Sequence, residues 1–486
     1  MTTQKKLAVV TGGAGFVGSH LCERLHALGW RVISLDNYFT GTRENHVPGV
    51  EYRVGHTKDI AVLVPETPDI LFHLGEYARV EQSVLEPEVV RFLNTIGTDG
   101  VIAFWRSKKC KLIYAGSSTK FGDSGETRYT SPYARTKAEN SERIRDIGEK
   151  ESLPYAVTYF YNVYGPRERS GVYGTVIEHF KRMYLSGAPC AIVAPGTQVR
   201  NFTHVLDIVD GLVAVGERGM GDEFGLGNLR AYSIVEVADM FGFKENRVMF
   251  PPREGNRLTS ALNTDKANAL GWRAERELPE YIRLFTDEHS HGASRDKRVL
   301  VFSTTFTPTV GLAEDSFIAL ARALPSVHFD VVTTHFTGSA KHTPSPASNI
   351  TIHRVGFGMV ADKFLLPLLG VVKGISLAKQ HSYLFTWGLM ASYAGLASAL
   401  FKSIHRSPLL LTLADQSFET LSPLHQLLFS LMVSRADQVY GTNHSQETDA
   451  ARFSRVALPR RSLGGGDAFA NALRFAYADT IRKGNT

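Results

Sequence analysis

The feature that most constrains the fold is a glycine pattern directly after the first apolar run. Leu7 to Val10 is typical of a strand, and Gly12, Gly15 and Gly18 follow it before a helix-length segment. Glycines at this spacing allow a tight turn from strand to helix and let the backbone approach a pyrophosphate at the helix N-terminus. A turn with incidental glycines is the alternative. The pattern predicts a dinucleotide site.

An acidic residue at the end of the next predicted strand supports this prediction. The run Arg31 to Leu35 is followed by Asp36, about 20 residues after the glycines, where a carboxylate can accept hydrogen bonds from the adenosine ribose hydroxyls. A carboxylate there repels a 2′-phosphate, so the sequence favours NAD over NADP.

Short apolar runs alternate with helix-length segments, which predicts βαβ units and parallel sheets. Before residue 288 the predicted strands are Leu7–Val10, Val32–Leu35, Ile70–Leu74, Lys111–Tyr114 and Ala156–Phe160, and the predicted helices include Gly15–Leu28 and Tyr133–Glu149. After residue 298 the predicted elements are Val299–Ser303, a helix over Leu312–Ala323, Phe329–Thr333, Ile350–Val355, Leu409–Leu413 and Gln438–Gly441.

The polar stretch 288–297 divides these two series. A chain of 486 residues is long enough for two to four domains. We expect a doubly wound α/β domain over 1–287, a linker over 288–297 and a second Rossmann-like α/β domain over 298–486. The charge-free segment Leu384 to Phe401 is only moderately apolar. It predicts a helix packed on a sheet, with a membrane span or interfacial contact as alternatives.

Composition excludes several classes of protein. Cys22, Cys110 and Cys190 form no CxxC pattern, which argues against a disulfide scaffold and a structural zinc site, so no metal is expected. The N-terminus lacks the apolar region of a signal peptide, and we expect a cytoplasmic protein. The net charge of +6 arises after residue 297, without a long basic run. We expect a solvated basic surface, no nucleic-acid partner and at most peripheral membrane contact through the C-terminal domain.

A second chemical signal is the pair Tyr133 and Lys137, spaced i and i+4 in a predicted helix after Pro132. The two side chains share one helix face, and an ammonium close to a phenol stabilises the phenolate. The tyrosine can then act as a base near neutral pH. Ser117 and Ser118 follow the strand that precedes this helix. An exposed pair on a helix surface is the alternative interpretation.

These motifs, in their order, resemble the extended short-chain dehydrogenase/reductase family, specifically its nucleotide-sugar epimerases and dehydratases. The resemblance covers residues 1–287 and implies a Rossmann-type domain with a small substrate-binding subdomain. It includes the segments Leu35–Asn45, His73-Leu74-Gly75, Asn94-Thr-Ile-Gly-Thr98, Asn162-Val-Tyr-Gly-Pro-Arg167 and Arg200-Asn-Phe-Thr-His-Val205.

Residue by residue, the resemblance implies that Tyr133 is the acid/base, that Lys137 orients the nicotinamide ribose, and that Ser117, or its neighbour Ser118, hydrogen-bonds the reacting hydroxyl. It implies that the NAD contacts are Gly12, Gly15, Phe16, Val17, Gly18, Asp36, Asn37, Asp59, Ile60, Leu74, Asn94 and Lys137. It also implies that the sugar nucleotide is bound by Ser117, Ser118, Asn162, Arg200 and Arg253, with surface salt bridges as the alternative role of the arginines.

Departures from the family pattern narrow the reaction. Family dehydratases place an Asp-Glu pair directly after the catalytic Ser/Thr, whereas this chain has Ser118-Thr119-Lys120, which disfavours dehydration and decarboxylation. We therefore expect NAD-dependent epimerisation, most commonly at C4 of a UDP-hexose. Glu76-Tyr77 replaces small residues of the family, which leaves the sugar and carbon open. The alternatives are an epimerase at another carbon, a 4,6-dehydratase, and a non-catalytic scaffold that recruits a glycosyltransferase. The resemblance also implies a homodimer.

Residues 298–486 resemble the acceptor-side, N-terminal half of GT-B glycosyltransferases. The resemblance rests on Val299–Ser303, Pro308, Gly311, Ala313–Ser316, Ser434–Tyr440 and Ser445. Because the donor-binding half is not present in these residues, we expect either a separate donor-binding chain as partner or a docking module. In both cases the expected context is polysaccharide or glycoconjugate assembly.

Overall fold

The computed structural model divides into two compact units. It describes residues 5–118, 129, 131–251, 262–290, 297–308, 311–335, 345–413, 423–440, 476–477 and 480. Unit 1 comprises Met1–His179, Ile192–Lys244 and Pro251–Asp287, and unit 2 comprises Phe180–Ala191, Glu245–Phe250 and Glu288–Thr486.

The strands and helices alternate along both units. The strands are β1 (Leu7–Thr11), β2 (Arg31–Asp36), β3 (Glu51–Val54), β4 (Ile70–His73), β5 (Lys111–Ser117), β6 (Tyr155–Phe160), β7 (Val163–Tyr164), β8 (Cys190–Val193), β9 (Val199–Asn201), β10 (Thr203–His204), β11 (Gly221–Leu226), β12 (Ala231–Ser233), β13 (Arg247–Phe250), β14 (Lys297–Phe302), β15 (Val327–Thr334), β16 (Ile350–Val355), β17 (Tyr383–Gly388), β18 (Leu409–Thr412) and β19 (Gln438–Tyr440). The helices are α1 (Phe16–Ala27), α2 (Ile60–Leu63), α3 (Val80–Ser83), α4 (Pro87–Val90), α5 (Gly97–Lys108), α6 (Pro132–Glu151), α7 (Val176–Ser186), α8 (Val205–Arg218), α9 (Ile234–Met240), α10 (Asp265–Ala269), α11 (Leu278–Ser290), α12 (Leu312–Ala323), α13 (Asp362–Ala378), α14 (Tyr393–His405) and α15 (Pro423–Arg435).

Unit 1 is built on a seven-stranded parallel sheet with the order β11-β6-β5-β4-β1-β2-β3. Every residue of β1 is buried, as expected for a strand covered by helices on both faces. Ala8 and Val10 pack in one core cluster with Leu21, and Val9 packs on the opposite face with Trp105. The order reverses between β1 and β4, and ligands of such sheets bind outside the carboxyl ends of the strands at that point.

Unit 2 contains a six-stranded parallel sheet with the order β16-β15-β14-β17-β18-β19. β14 is the first strand of this sheet along the chain, and the strand order reverses between β14 and β17. The predicted α/β class with Rossmann-like parallel sheets is therefore confirmed in both units. The resemblance to a GT-B half and the exact domain limits stay predictions.

The prediction of a single helix over Leu384 to Phe401 was wrong. Tyr383–Gly388 is the central strand β17, and the helix α14 starts at Tyr393, where the Ser392 side chain accepts a hydrogen bond from the backbone N–H of Ala394. A buried parallel strand and the buried face of a helix are both apolar, so an uncharged run does not distinguish them. Among the described helices, none is long and apolar enough to cross a bilayer.

A buried ion cluster in unit 2 gives a test of stability against pH. The carboxylate of Asp330, on β15, accepts hydrogen bonds from Arg298 at 2.8 Å, His353 at 2.8 Å and the Tyr383 hydroxyl at 2.9 Å. Burial raises the pKa of Asp330, but the hydrogen bonds from His353, Arg298 and Tyr383 outweigh it and hold the pKa well below its usual range. A group whose pKa is lower in the folded state stabilises the fold at pH values above its unfolded-state pKa, here about 3.9. This stabilisation is lost progressively as the pH falls below that value toward the folded-state pKa.

We expect Asp330→Asn to lower the free energy of unfolding of unit 2 by about 3 kcal/mol at pH 7, since it removes one partner of a buried ion pair. The difference between the variant and the unchanged protein should shrink as pH falls below 4, as measured by chemical denaturation across pH. Asp315→Asn, at an exposed position of α12, is the control and should cost less than about 1 kcal/mol. An equal loss at pH 3 and pH 7 would contradict the role of the charge.

Candidate active site

A cavity of about 890 Å³ lies where the strand order of unit 1 reverses. Its volume is within the range of about 300–1,000 Å³ that is typical of small-molecule sites. It is lined by the glycine loop after β1, the loops after β2 and β4, the end of β5, the first turns of α6 and the segment 160–175. The cavity therefore lies at the position that the doubly wound topology predicts for a ligand.

The glycine loop is shaped for close approach of a ligand to the backbone. Gly12 has a φ of 73°, in the left-handed region that favours glycine. A Cβ on Gly18 would lie 2.1 Å from the carbonyl oxygen of Gly12, so helix and loop pack too closely for any side chain. No side chain of the described residues caps the N-terminus of α1, and its first turn carries no acidic residue. The N–H groups of this turn are available to an anion.

Asp36 connects the glycine loop to the loop after β2. Its Oδ2 accepts a hydrogen bond from the backbone N–H of Ala14 at 2.9 Å, and its Oδ1 accepts one from that of Tyr38 at 2.7 Å. Burial raises the pKa of Asp36, against the lowering effect of these two hydrogen bonds. Each carboxylate oxygen can accept a second hydrogen bond, and Asp36 lines the cavity, so a ribose diol can still bind it.

We expect Asp36→Asn to weaken NAD binding at least about tenfold and to reduce the preference for NAD over NADP, since the loss of a charged acceptor costs about 1.5–3 kcal/mol per hydrogen bond. Calorimetric titration of both dinucleotides measures the two dissociation constants. Asp146→Asn, at a side chain that is 66% exposed, serves as the control. Unchanged selectivity in the Asp36 variant would remove this residue from the cofactor site.

The predicted reactive side chains meet in the same cavity. Tyr133 and Lys137 lie one turn apart at the start of α6, and both line the cavity together with Ser117 and Ser118 at the end of β5. The start of α6 is fixed by Ser131, whose hydroxyl accepts a hydrogen bond from the backbone N–H of Ala134 at 3.1 Å. The i, i+4 spacing thus places both side chains at the same cavity as the glycine loop, and their roles stay predictions.

The strongest contact of Lys137 is one that sequence analysis did not predict. Its ammonium lies 2.5 Å from a carboxylate oxygen of Glu76 and donates to the carbonyl of Ala115 at 2.6 Å. The Lys137 side chain is 6% exposed and that of Glu76 is fully buried. The signal in the sequence was the replacement of a small family residue by Glu76, but only the fold shows which cation it pairs with.

Three predicted cofactor residues do not line the cavity. Ile60 is fully buried in the core, and the side chain of Asp59 is 51% exposed beside Lys58. Asn94 is buried in a π-helical turn over 91–96, where its side chain hydrogen-bonds the backbone of Tyr77. Its position suits support of the cavity wall better than direct contact with a ligand.

The predicted substrate residues differ in whether they line the cavity. Asn162 lines the cavity, Arg200 does not, and Arg253 lies outside the described residues, as do Thr119 and Lys120.

Other cationic side chains line the cavity instead, namely Arg79, Arg167 and Arg169. The Nη1 atom of Arg167 is buried and makes no hydrogen bond to a described residue, while its Nη2 atom lies 2.8 Å from a carboxylate oxygen of Glu23. Arg167 closes the NVYGPR motif, whereas no motif marked Arg79 or Arg169. Within the described part of the chain, no three His, Cys, Asp or Glu side chains are grouped to hold a metal ion.

Comparison with known sequences finds one matching family model and several similar proteins. Residues 8–227 match the model of the NAD dependent epimerase/dehydratase family. A putative UDP-glucose 4-epimerase of Methanocaldococcus jannaschii is 28% identical over 297 residues, which are 57% of this chain and 96% of the relative. UDP-glucuronic acid decarboxylase 1 of Xenopus tropicalis is 29% identical over 253 residues, and the match spans 48% of this chain and 59% of that relative.

Solved structures agree with the fold of unit 1. UDP-glucose 4-epimerase of Thermotoga maritima, crystallised with UDP-glucose, aligns with a TM-score of 0.55 and 26% identity over 59% of this chain and 99% of its own. UDP-glucose 4-epimerase of Thermus thermophilus, crystallised with NAD, aligns with a TM-score of 0.54 and 28% identity over 58% of this chain and 99% of its own.

Proposed function

We propose that this chain interconverts the epimers of a nucleotide sugar. The match of residues 8–227 to the NAD dependent epimerase/dehydratase family supports this proposal, and NAD is the cofactor. The observation that carries the proposal is the meeting of Tyr133, Lys137 and Ser117 in one cavity with the glycine loop and Asp36. We propose C4 of a UDP-hexose as the reacting centre. The names of the M. jannaschii relative and of the T. maritima and T. thermophilus enzymes support this choice.

The residues of the cavity fit the two parts of such a reaction. The first turn of α1 and Asp36 would hold the dinucleotide, which supplies reversible hydride acceptance when it is bound. Ser117 would hydrogen-bond the reacting hydroxyl, and Tyr133 would take its proton as the hydroxyl becomes a ketone. Tyr133 would then return the proton after the keto sugar has turned over. The protein's own groups therefore only bind, orient and exchange one proton, and the reaction has no net oxidation.

A panel of nucleotide sugars tests the proposal directly. The full chain with added NAD is incubated with UDP-glucose, UDP-N-acetylglucosamine and UDP-glucuronic acid, and products are identified by NMR. We expect UDP-galactose or another 4-epimer without accumulation of NADH. A UDP-pentose and carbon dioxide would instead assign a decarboxylase, and a 4-keto-6-deoxy sugar would assign a dehydratase. No conversion of any sugar would contradict the proposed function.

A further inference from the structure

We propose that Glu76 is a positioning residue that fixes and neutralises the ammonium of Lys137 in the active site. The inference rests on the proposed function of the same cavity. Glu76 follows β4 and lines the cavity, and its carboxylate reaches Lys137 on α6. The motifs of the sequence analysis did not include this ion pair, because Glu76 and Lys137 lie on elements that are far apart along the chain.

The contacts of Glu76 identify it as an ionised carboxylate. Its Oε1 accepts hydrogen bonds from Thr98 at 2.5 Å and from the side-chain amide of Asn140 at 2.8 Å. Its Oε2 accepts one from the hydroxyl of Tyr114 at 2.8 Å and faces the ammonium of Lys137. Four donors fill the acceptor sites of a carboxylate. Burial raises the pKa of Glu76, but the charge of Lys137, the proximity of His73 and the hydrogen bonds from Lys137 and Thr98 bring it below its usual range.

A chain of hydrogen bonds fixes the direction of these donors. The hydroxyl of Thr11 accepts from the backbone N–H groups of residues 74 and 75, so its own hydrogen goes to Nδ1 of His73 at 2.7 Å. Nε2 of His73 then donates to Thr98 at 2.9 Å, and the hydrogen of Thr98 points to Glu76. Burial lowers the pKa of His73 to about 4, in agreement with a neutral ring. Glu76 is thereby anchored to the strand that precedes the glycine loop.

This anchor determines what Lys137 can do. An ammonium has three N–H groups, and Glu76 and the carbonyl of Ala115 accept two of them. The third is left for the cavity, where the resemblance places the nicotinamide ribose. Because the pair is electrically neutral, Lys137 contributes less positive charge to Tyr133 than an unpaired ammonium would. Among the described residues, His73 on β4 and Tyr114 on β5 are titratable groups that face the pair. Tyr133 on α6 lines the same cavity and interacts electrostatically with Tyr114.

A double-mutant cycle on NAD binding separates this role from general structural support. We expect Glu76→Gln to weaken NAD binding of the full chain about tenfold, as for a lost charged hydrogen bond, and less than about twofold in a Lys137→Met background. Equal weakening in both backgrounds would overturn the proposal. Glu88→Gln, at a side chain that is 81% exposed, is the matched control. Glu76→Asp, which keeps the charge, should recover part of the affinity. If Lys137→Met does not fold, Lys137→Gln, which keeps a hydrogen-bond donor but removes the charge, takes its place in the cycle.

The pH dependence of turnover gives a second readout. Without the carboxylate of Glu76, the electrostatic field at Tyr133 is more positive. We therefore expect the acid limb of the pH–activity profile of Glu76→Gln to move to lower pH. A shift to higher pH would contradict the proposal that Glu76 neutralises Lys137. If the unchanged protein converts no nucleotide sugar, the proposed function fails. The NAD-binding cycle then still decides whether Glu76 positions Lys137, because it needs no turnover.

Discussion

Replacement of Tyr133 by Phe is expected to reduce turnover about 10³-fold while NAD binding stays within about twofold, since positioned acid–base groups typically contribute 10²–10⁴-fold. The substitution keeps the aromatic ring and its packing at the start of α6, and it removes only the hydroxyl that would carry the proton. Ser117 and Ser118 lie in the same cavity, but a neutral serine hydroxyl is a much weaker base than a phenolate.

Product formation by NMR and calorimetric NAD titration of the same preparation measure the two quantities separately. Tyr129→Phe, at a tyrosine that is 50% exposed and does not line the cavity, is the control and should keep full turnover. If the Tyr133 variant turned over normally, the proton would have to move through another group. The assigned role would then be withdrawn, although the cofactor site would stand.

Lys137→Met is expected to produce the largest loss of stability, about 3–5 kcal/mol, because it leaves the carboxylate of Glu76 buried without its cation. The remaining donors from Thr98, Asn140 and Tyr114 reduce this cost but do not supply a charge. Protonation of Glu76 relieves the penalty, so the variant should lose less stability at pH 5 than at pH 8. Thermal and chemical unfolding at the two pH values measure this difference.

The double variant Glu76→Gln with Lys137→Met should regain most of that stability, since it replaces a broken ion pair with two neutral side chains. Lys150→Met, at an exposed position of the same helix, controls for the loss of a lysine from α6 and should change stability little. A double variant as unstable as Lys137→Met alone would show that the carboxylate is not the source of the penalty.

Local patterns explain why much of the fold and part of the site could be predicted. The turn after β1 needs glycine because Gly12 has a positive φ and Gly18 touches the loop backbone, and both requirements act within a few residues. The shared helix face of Tyr133 and Lys137 follows from the period of the helix. The uncharged run over β17 and α14 was misread because burial removes the polar face that would mark either element.

The sequence by itself determined the doubly wound α/β fold, the glycine turn, the acidic end of β2 and the shared helix face of Tyr133 and Lys137, because these depend on neighbours within a strand, a turn or a helix. Only the tertiary structure decided that Glu76 pairs with Lys137, that Arg79 and Arg169 line the cavity and that Ile60 belongs to the core. Such contacts join elements that are distant along the chain, and which side chains meet across a sheet edge depends on the packing of all the elements together.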